Sequence, residues 1–283
     1  MFVALTPLVH KARPARLPAR ALDQFYTRPD VARACVAHLL SVIGTEPGTL
    51  FIEPAAGAGA FLDLLPEPRI GFDLAPARAD IACADFLHWS PPRQTARLVV
   101  VSNFPFGKNA SLAVKFVNHA ANFADIVASI VPRSFEKNSI KHRISPQLTL
   151  ISELALAPDS FLYQNQPYAV PVLFQIWQRN PRPRSPDPHP RTHADFSFLR
   201  TPADADFAFQ RVGVQAGRVS ITGLARAAQS HYFIAVRNPA RDVAGILARI
   251  DWTAIKSRTA GNPSIGKAEL IAAYQAALTQ TPR

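Results

Sequence analysis

Residues 51–60 read Phe51-Ile52-Glu53-Pro54-Ala55-Ala56-Gly57-Ala58-Gly59-Ala60. The β-rich run Thr49–Ile52 leads into this stretch, and a helical run is expected to follow it. A strand that ends in an acid and then in small residues makes a turn whose backbone can approach a ligand closely. Gly57 and Gly59 supply Gly-x-Gly, but position 62 is Leu. The third glycine of a dinucleotide fingerprint is therefore missing. No Gly-Lys-Ser/Thr follows, so the turn is not a phosphate loop. Two more acids close the next strand-like runs, Asp73 in Arg69–Leu74 and Asp85 in Ile81–Phe86. Ligands of open α/β sheets bind outside the carboxyl ends of the strands. Three acids at three successive strand ends thus share one crevice. Asp73 stands where an acid accepts from ribose hydroxyls, and Asp85 can accept from an exocyclic amine.

Working outward, helical and strand-like runs alternate. Asp30–Ile43 has helical spacing. Arg97–Ser102 is strongly β-type. Ser111–Phe123 reads as a helix with Ser111 as its N-cap, and Asp125–Val131 as a buried strand. This alternation implies an α/β fold, a mostly parallel Rossmann-like sheet with helices on both faces. Leu148–Leu156 and Ala169–Trp177 are expected to pair as an antiparallel hairpin at its edge. Asn180–Pro190, NPRPRSPDPHP, holds five prolines and cannot propagate helix or sheet, so it reads as an extended linker. Beyond it, Arg211–Ile221 reads as a hairpin turning at Ala216-Gly217, Tyr232–Val236 as a strand, and Lys267–Leu278 as an amphipathic helix. The expected organisation is a basic arm (1–22), a catalytic domain (23–179), a Pro/Arg-rich linker (180–193) and a small mixed α/β domain (194–283).

The chain has 283 residues and a formal charge of +11. That charge is uneven. Residues 1–22 carry +4 and no acid, residues 23–178 carry −1, residues 179–193 carry +3, and residues 194–283 carry +5. The middle is neutral and the flanks are basic, which suits a catalytic core with nucleic-acid-gripping appendages. The first 22 residues are Arg-rich like a transit peptide. Pro7, Pro14 and Pro18 break any amphipathic helix there, so a mobile arm is expected. Apolar runs are strand-sized, so no membrane span is expected. Two cysteines, Cys35 and Cys83, exclude a disulfide scaffold and are expected as reduced core residues of a cytoplasmic protein. The eight His show no metal-ligand spacing.

Directly after Leu98–Ser102 comes Asn103-Phe104-Pro105-Phe106-Gly107. The chemistry this pattern permits can be derived from its groups. A purine exocyclic amine is a poor nucleophile, because its lone pair is delocalised into the ring. Two carbonyl acceptors, the Asn103 side chain and the backbone of Phe104, can bind both amine hydrogens and free the lone pair. Positioning and electrostatics then carry the catalysis, with no titrating base. Phe106 can stack on the base, worth about 1–3 kcal/mol, and Pro105 fixes the backbone. In a duplex the base must be flipped out.

With this element, residues 21–178 resemble a class I S-adenosylmethionine-dependent amino-methyltransferase of the group that includes adenine-N6 DNA enzymes. Asp23-Gln24-Phe25-Tyr26-Thr27 resembles that group's Phe-Tyr-Thr-Pro element, and Glu53–Gly59 its Gly-rich turn. Ile130–Ser134 resembles a later core element. The order, with the small domain last, resembles the gamma arrangement. The resemblance implies S-adenosyl-L-methionine as cofactor. Phe25, Tyr26 and Thr27 would cover its methionine part, and Glu53, Pro54, Ala55, Gly57 and Gly59 would form the turn beneath it. Asp73 would hold the ribose, and Asp85 with Phe86 the adenine. Phe104 departs from the Pro of that group. Asn-hydrophobic-Pro-aromatic also resembles ribosomal RNA adenine dimethyltransferases. The expected partner is nucleic acid, DNA before RNA; a catalytically silent nucleic-acid-binding protein is an alternative, and methylation of a protein glutamine a weaker one. Arg133, Lys137, Lys141, His142 and Arg143, and the loop with Lys256, Arg258 and Lys267, are the expected phosphate contacts.

Overall fold

The computed structural model describes residues 26–92, 97–163, 166–185, 189–222, 224–259 and 261–280. The expected basic arm and Phe25 lie outside the described residues. The chain divides into two compact units. One runs through Pro132 and resumes over Ile144–Ser185; the other joins Arg133–Arg143 to residues 186–283.

In chain order come β1 (Tyr26–Thr27), α1 (Pro29–Ile43), β2 (Leu50–Glu53), β3 (Arg69–Asp73), β4 (Ala82–Cys83), β5 (Leu98–Asn103), α2 (Ser111–Ala120) and β6 (Ile126–Pro132). The short helix α3 (Asn138–Lys141) belongs to the second unit. The first then resumes with β7 (Leu148–Ala155), β8 (Phe161–Tyr163), β9 (Gln166–Tyr168) and β10 (Val172–Arg179).

Seven of these strands form one sheet in the order β4-β3-β2-β5-β6-β10-β7. β4 through β6 in that order are parallel, and β10 runs antiparallel to both β6 and β7. The order reverses between β2 and β5, which pair in register at Ile52 and Val100. That reversal is the switch point at which doubly wound sheets bind ligands. Val99 and Val101 of β5 pack with Ala32, Cys35, Val36 and Leu39 of α1. The alternate residues Leu98, Val100 and Ser102 are buried as well, so both faces of the sheet are covered. α1 forms because its buried residues recur at helical spacing, Pro29 starts it, and Gly44 ends it at φ +67° with its amide on Leu40.

The expected edge hairpin is present as β7 and β10. β8 and β9 are inserted in the connection between them and form a separate three-stranded sheet with β1. Arg28 ties that sheet to the chain entry, donating to Asp159 at 2.6 Å and to Asp30 at 2.9 Å.

Four local expectations need correction. The helix expected after the Gly-rich turn is one 3₁₀ turn, Leu62–Leu64. Pro66 forces Leu65 into extended backbone (ψ 144°), leaving too few residues for a helix. Ile81–Phe86 is only the short β4, where Cys83 is exposed rather than in the core, after which Asp85 caps a 3₁₀ turn over Phe86–His88. Ser111 is not an N-cap. Ala110 occupies that position at φ +58°, and the helix is tied down instead by the Phe106 carbonyl, which accepts from Leu112 and Ala113. The linker does not run free at its start. Arg184 donates its amide to Pro146 and its Nε to Leu148, and Asn180 donates to Thr149.

The second unit holds β11 (Phe196–Leu199), β12 (Phe207–Gln210), β13 (Val219–Ser220), β14 (His231–Val236), α4 (Val243–Arg249), α5 (Thr253–Lys256) and α6 (Lys267–Gln280). Its antiparallel sheet, β11-β14-β12-β13, packs on the helices around Phe196, Phe207, Phe209, Trp252 and Tyr274. The expected hairpin exists, but its first strand is Phe207–Gln210, where Phe207 and Phe209 alternate into the core. Arg211 lies in the turn. Lys137 anchors Arg133–Arg143 to this unit. Its Nζ donates to the carbonyl and hydroxyl of Ser264, each at 2.9 Å, and lies 3.6 Å from Glu269.

Candidate active site

The carboxyl ends of β2, β3 and β5 open onto one cavity. Tyr26, Thr27, Glu53, Gly57, Asp73, Asp85, Phe86, Asn103 and Pro105 all line it. Pro54 and Ala55 line it too. Residues far apart in sequence, such as Glu53, Asp73 and Asn103, therefore meet, because parallel strands place their ends side by side.

The Gly-rich turn is held from three directions. The Gly57 amide donates to Asp73 Oδ2 at 2.7 Å, and the Ala75 amide donates to Asp73 Oδ1 at 2.8 Å. Gly57 has φ +51°, and a Cβ there would lie 3.3 Å from the Tyr26 ring. Glycine is needed at this position both for the backbone and for the ring beside it. Behind the turn, Glu53 is 2% exposed and its Oε2 accepts from the Leu62 amide at 2.6 Å. Burial pushes its carboxyl well above the ordinary range, against the pull of that hydrogen bond. Ser102 adds a tie from β5, its hydroxyl reaching the Ala55 carbonyl at 3.3 Å.

Asp85 accepts from the Leu87 amide at 2.9 Å, and its other oxygen meets His88 Nδ1 at 2.9 Å. Phe86 is 1% exposed, with ring centroids of Phe116 at 5.4 Å and His119 at 4.9 Å. This aromatic cluster anchors the floor at that end. Asn103 ends β5 opposite Ile130 of β6. Phe104 turns inward instead, 1% exposed and 5.4 Å from Phe116, with its amide 3.4 Å from the Ser129 hydroxyl. Its side chain is a core residue, which explains why Phe can stand where the resembled group has Pro. Phe104 is not among the residues that line the cavity.

Two more expected site residues lie elsewhere. Gly59 does not line the cavity. It has φ +84°, and the space a Cβ would take is filled by Arg78, which donates to the Ala58 carbonyl and pairs with Asp63 and Asp80. Gly59 makes room for a brace rather than for a ligand. Phe106 is half-buried against the main core, edge-on to Phe161 at 6.1 Å, and is not a cavity wall.

The expected phosphate contacts also divide. Lys137 is buried in its contacts with Ser264 and Glu269, and burial holds its ammonium pKa down. Arg133 donates to Glu136 at 3.1 Å, and Lys256 to the Val214 carbonyl at 2.8 Å. Of these, the buried Lys137 serves the fold. Arg143 is exposed, Lys141 and Arg258 are half-buried, and the exposed Lys267 lies 4.6 Å over the Phe198 ring. Sequence reasoning missed Arg78, Ser102 and Phe116, whose roles depend on tertiary neighbours. Ala75 was findable, since an Asp accepting from the amide two residues on is a common local turn.

The walls include three carboxyl groups and no Lys, Arg or His among the described residues. Glu53 is pushed towards its neutral form, leaving Asp73 and Asp85 as the anionic walls. Such a cavity repels phosphate groups and favours a cationic ligand that also offers hydroxyl and amine hydrogens. A sulfonium nucleoside fits this donor and charge pattern.

No protein-family model matches the sequence, and no curated protein does. Solved structures match part of the chain at low identity. A protein of Pyrococcus horikoshii described as a candidate RNA methyltransferase has 16% identity and a TM-score of 0.46, over 58% of this chain and 90% of that one. A type I restriction-modification methyltransferase subunit of Streptococcus thermophilus has 15% identity and a TM-score of 0.40, over 56% of this chain and 45% of that one. The N-methyltransferase NodS of Bradyrhizobium japonicum has 13% identity and a TM-score of 0.37, over 53% of this chain and 97% of that one. Among the described residues no helix is long and apolar enough to cross a membrane, and no group of His, Cys, Asp or Glu could hold a metal ion.

Proposed function

We propose that the protein transfers a methyl group from S-adenosyl-L-methionine to the N6 amine of adenine in DNA. The observation that carries this reading is the shared cavity of Asn103, Pro105, Asp73, Asp85 and Gly57 at the switch point of the sheet.

When bound, the cofactor supplies an electrophilic methyl on a sulfonium. The chain's own groups do the rest. Asp73 accepts from ribose hydroxyls with the lone pairs left beyond its two backbone bonds. Asp85 accepts from the adenine amine, beside Phe86. Tyr26 and Thr27 cover the turn around Gly57. The Asn103 carboxamide oxygen and the Phe104 carbonyl accept the two hydrogens of the target amine. That turns the nitrogen lone pair out of conjugation and holds it in line for transfer. No side chain is required to take the proton before attack; it leaves from the alkylated nitrogen.

RNA as substrate is the second reading, and Phe104 is the observation that favours it. The intact Asn103, Asp73 and Asp85 speak against a silent protein. The experiment is transfer of a labelled methyl group to DNA, RNA and protein in parallel. Label in DNA supports the proposal, label in RNA alone moves the reading to RNA, and label in none removes it.

A further inference from the structure

We infer that the C-terminal unit carries a binding site for a backbone phosphate of the nucleic-acid substrate, walled by Arg191, Thr192, Ser197, Phe198, Arg237 and Lys267. The choice of nucleic acid as the phosphate's source rests on the proposed function; the anion site itself does not. Of the cations picked out by sequence, Lys267 belongs to this site, whereas Arg133 pairs with Glu136, Lys137 with Glu269, and Lys256 donates to the Val214 carbonyl.

What distinguishes this concavity is how its cations are held. Lys267 Nζ sits 4.6 Å over the Phe198 ring and 5.7 Å from the Tyr232 centroid. An aromatic face positions an ammonium without cancelling its charge or using its N–H donors. Arg237 donates Nε to the Ser197 hydroxyl at 3.1 Å, again a neutral partner. The Nη groups of Arg237 remain for a ligand, and Ser197 keeps its own proton to donate. Arg191, also a wall residue, is exposed. His193 is held at both ring nitrogens. Its Nδ1 accepts from the Asp195 amide at 3.0 Å and its Nε2 meets Gln275 Oε1 at 2.9 Å, so both nitrogens are in use. No carboxylate lines the concavity among the described residues, and no ion pair there involves Arg191, Arg237 or Lys267. Two guanidiniums, an ammonium and two hydroxyls present a surface of donors. Its match is an anion that only accepts, as a phosphodiester does.

The test is fluorescence anisotropy on the full chain with a labelled duplex DNA oligonucleotide across a salt titration. R237Q/K267Q is expected to weaken binding about tenfold or more and to flatten the log–log salt slope by about 2, near 0.9 for each phosphate no longer neutralised. R200Q/R226Q removes the same charge from exposed positions of the same unit and is expected to weaken binding less than about threefold. Equal losses in both pairs, or no loss in the first, would overturn the site. Displacement of the oligonucleotide by inorganic phosphate at constant ionic strength would assign the site to free phosphate and overturn the backbone reading. If R237Q/K267Q fails to fold, R191Q, on an exposed coil residue, reads the same comparison. Methyl transfer is followed on the same samples. Selective loss of oligonucleotide binding in a protein that transfers no methyl keeps this site and removes the proposed function. Unchanged binding with methyl transfer intact removes this site alone.

Discussion

Asp73 Oδ2 accepts the Gly57 amide at 2.7 Å, joining the end of β3 to the turn that follows β2. The turn is therefore shaped by a charge from the neighbouring strand as well as by its own small residues. The same carboxylate stands in the cavity wall, so the group expected to bind the cofactor also builds the surface the cofactor would lie on.

Removing it has a predictable cost. D73A deletes two charge-assisted backbone bonds, each worth about 1.5–3 kcal/mol. Affinity for S-adenosylhomocysteine, measured by titration calorimetry, is expected to fall at least about tenfold, or ~1.4 kcal/mol. D73N should fall between, because its amide nitrogen must face one of two N–H donors. Affinity of D73A within about twofold of wild type would contradict the role.

Gly57 is constrained twice, by φ +51° and by the Tyr26 ring 3.3 Å from a would-be Cβ. G57A is expected to lose about 1–2 kcal/mol of unfolding free energy from the left-handed backbone, with a further loss of cofactor affinity from displacement of Tyr26. In the Y26A/G57A pair the two affinity losses should sum to more than the double variant shows. Strict additivity in that cycle would show that ring and turn act independently.

Glu53 sets a pH dependence whose sign is fixed. Its folded pKa is raised by burial, so the folded chain keeps a proton that the unfolded chain releases. Its contribution is therefore complete below the unfolded carboxylate pKa, about 4.3. It is lost as pH rises from there through the folded value. E53Q keeps an acceptor for the Leu62 amide and removes the titration. Urea denaturation of wild type and E53Q across pH 5 to 8 should show a gap that widens in favour of E53Q with rising pH. A constant gap would mean that Glu53 is ionised in the folded protein.

Lys137 separates a fold role from a phosphate role. K137M leaves the buried Glu269 without its cation, a change that typically costs about 3–5 kcal/mol. K137M/E269Q should recover much of that loss. Thermal unfolding distinguishes this from a surface phosphate contact, whose removal would leave stability within about 0.5 kcal/mol.

The sheet was legible in the sequence because its strands are short apolar runs, and because Glu53, Asp73 and Asn103 each end one, with Asp85 two residues past β4. Parallel pairing converts those sequence positions into one rim, so the cavity followed from the strand assignments. What could not be read depends on tertiary neighbours. Gly59 and Gly57 look alike in sequence, yet one faces Arg78 and the other Tyr26. Phe104 and Phe106 flank one proline, and both rings turn to the core. Lys137 looked like its exposed neighbour Arg143 because nothing local announces Ser264 and Glu269. The β11 strand and helices α4 and α5 escaped the sequence reading, being short elements set by a small Phe- and Trp-rich core.

The central claim is that Asn103 activates an adenine amine for methylation. The direct measurement is incubation of DNA with a labelled methyl donor, digestion to nucleosides and chromatography, with wild type and N103A in parallel. The account predicts labelled N6-methyldeoxyadenosine from wild type. N103A should give at least about a hundredfold less product, with cofactor affinity within about threefold of wild type. Wild-type turnover by N103A, or label on any atom other than the adenine N6, would contradict it.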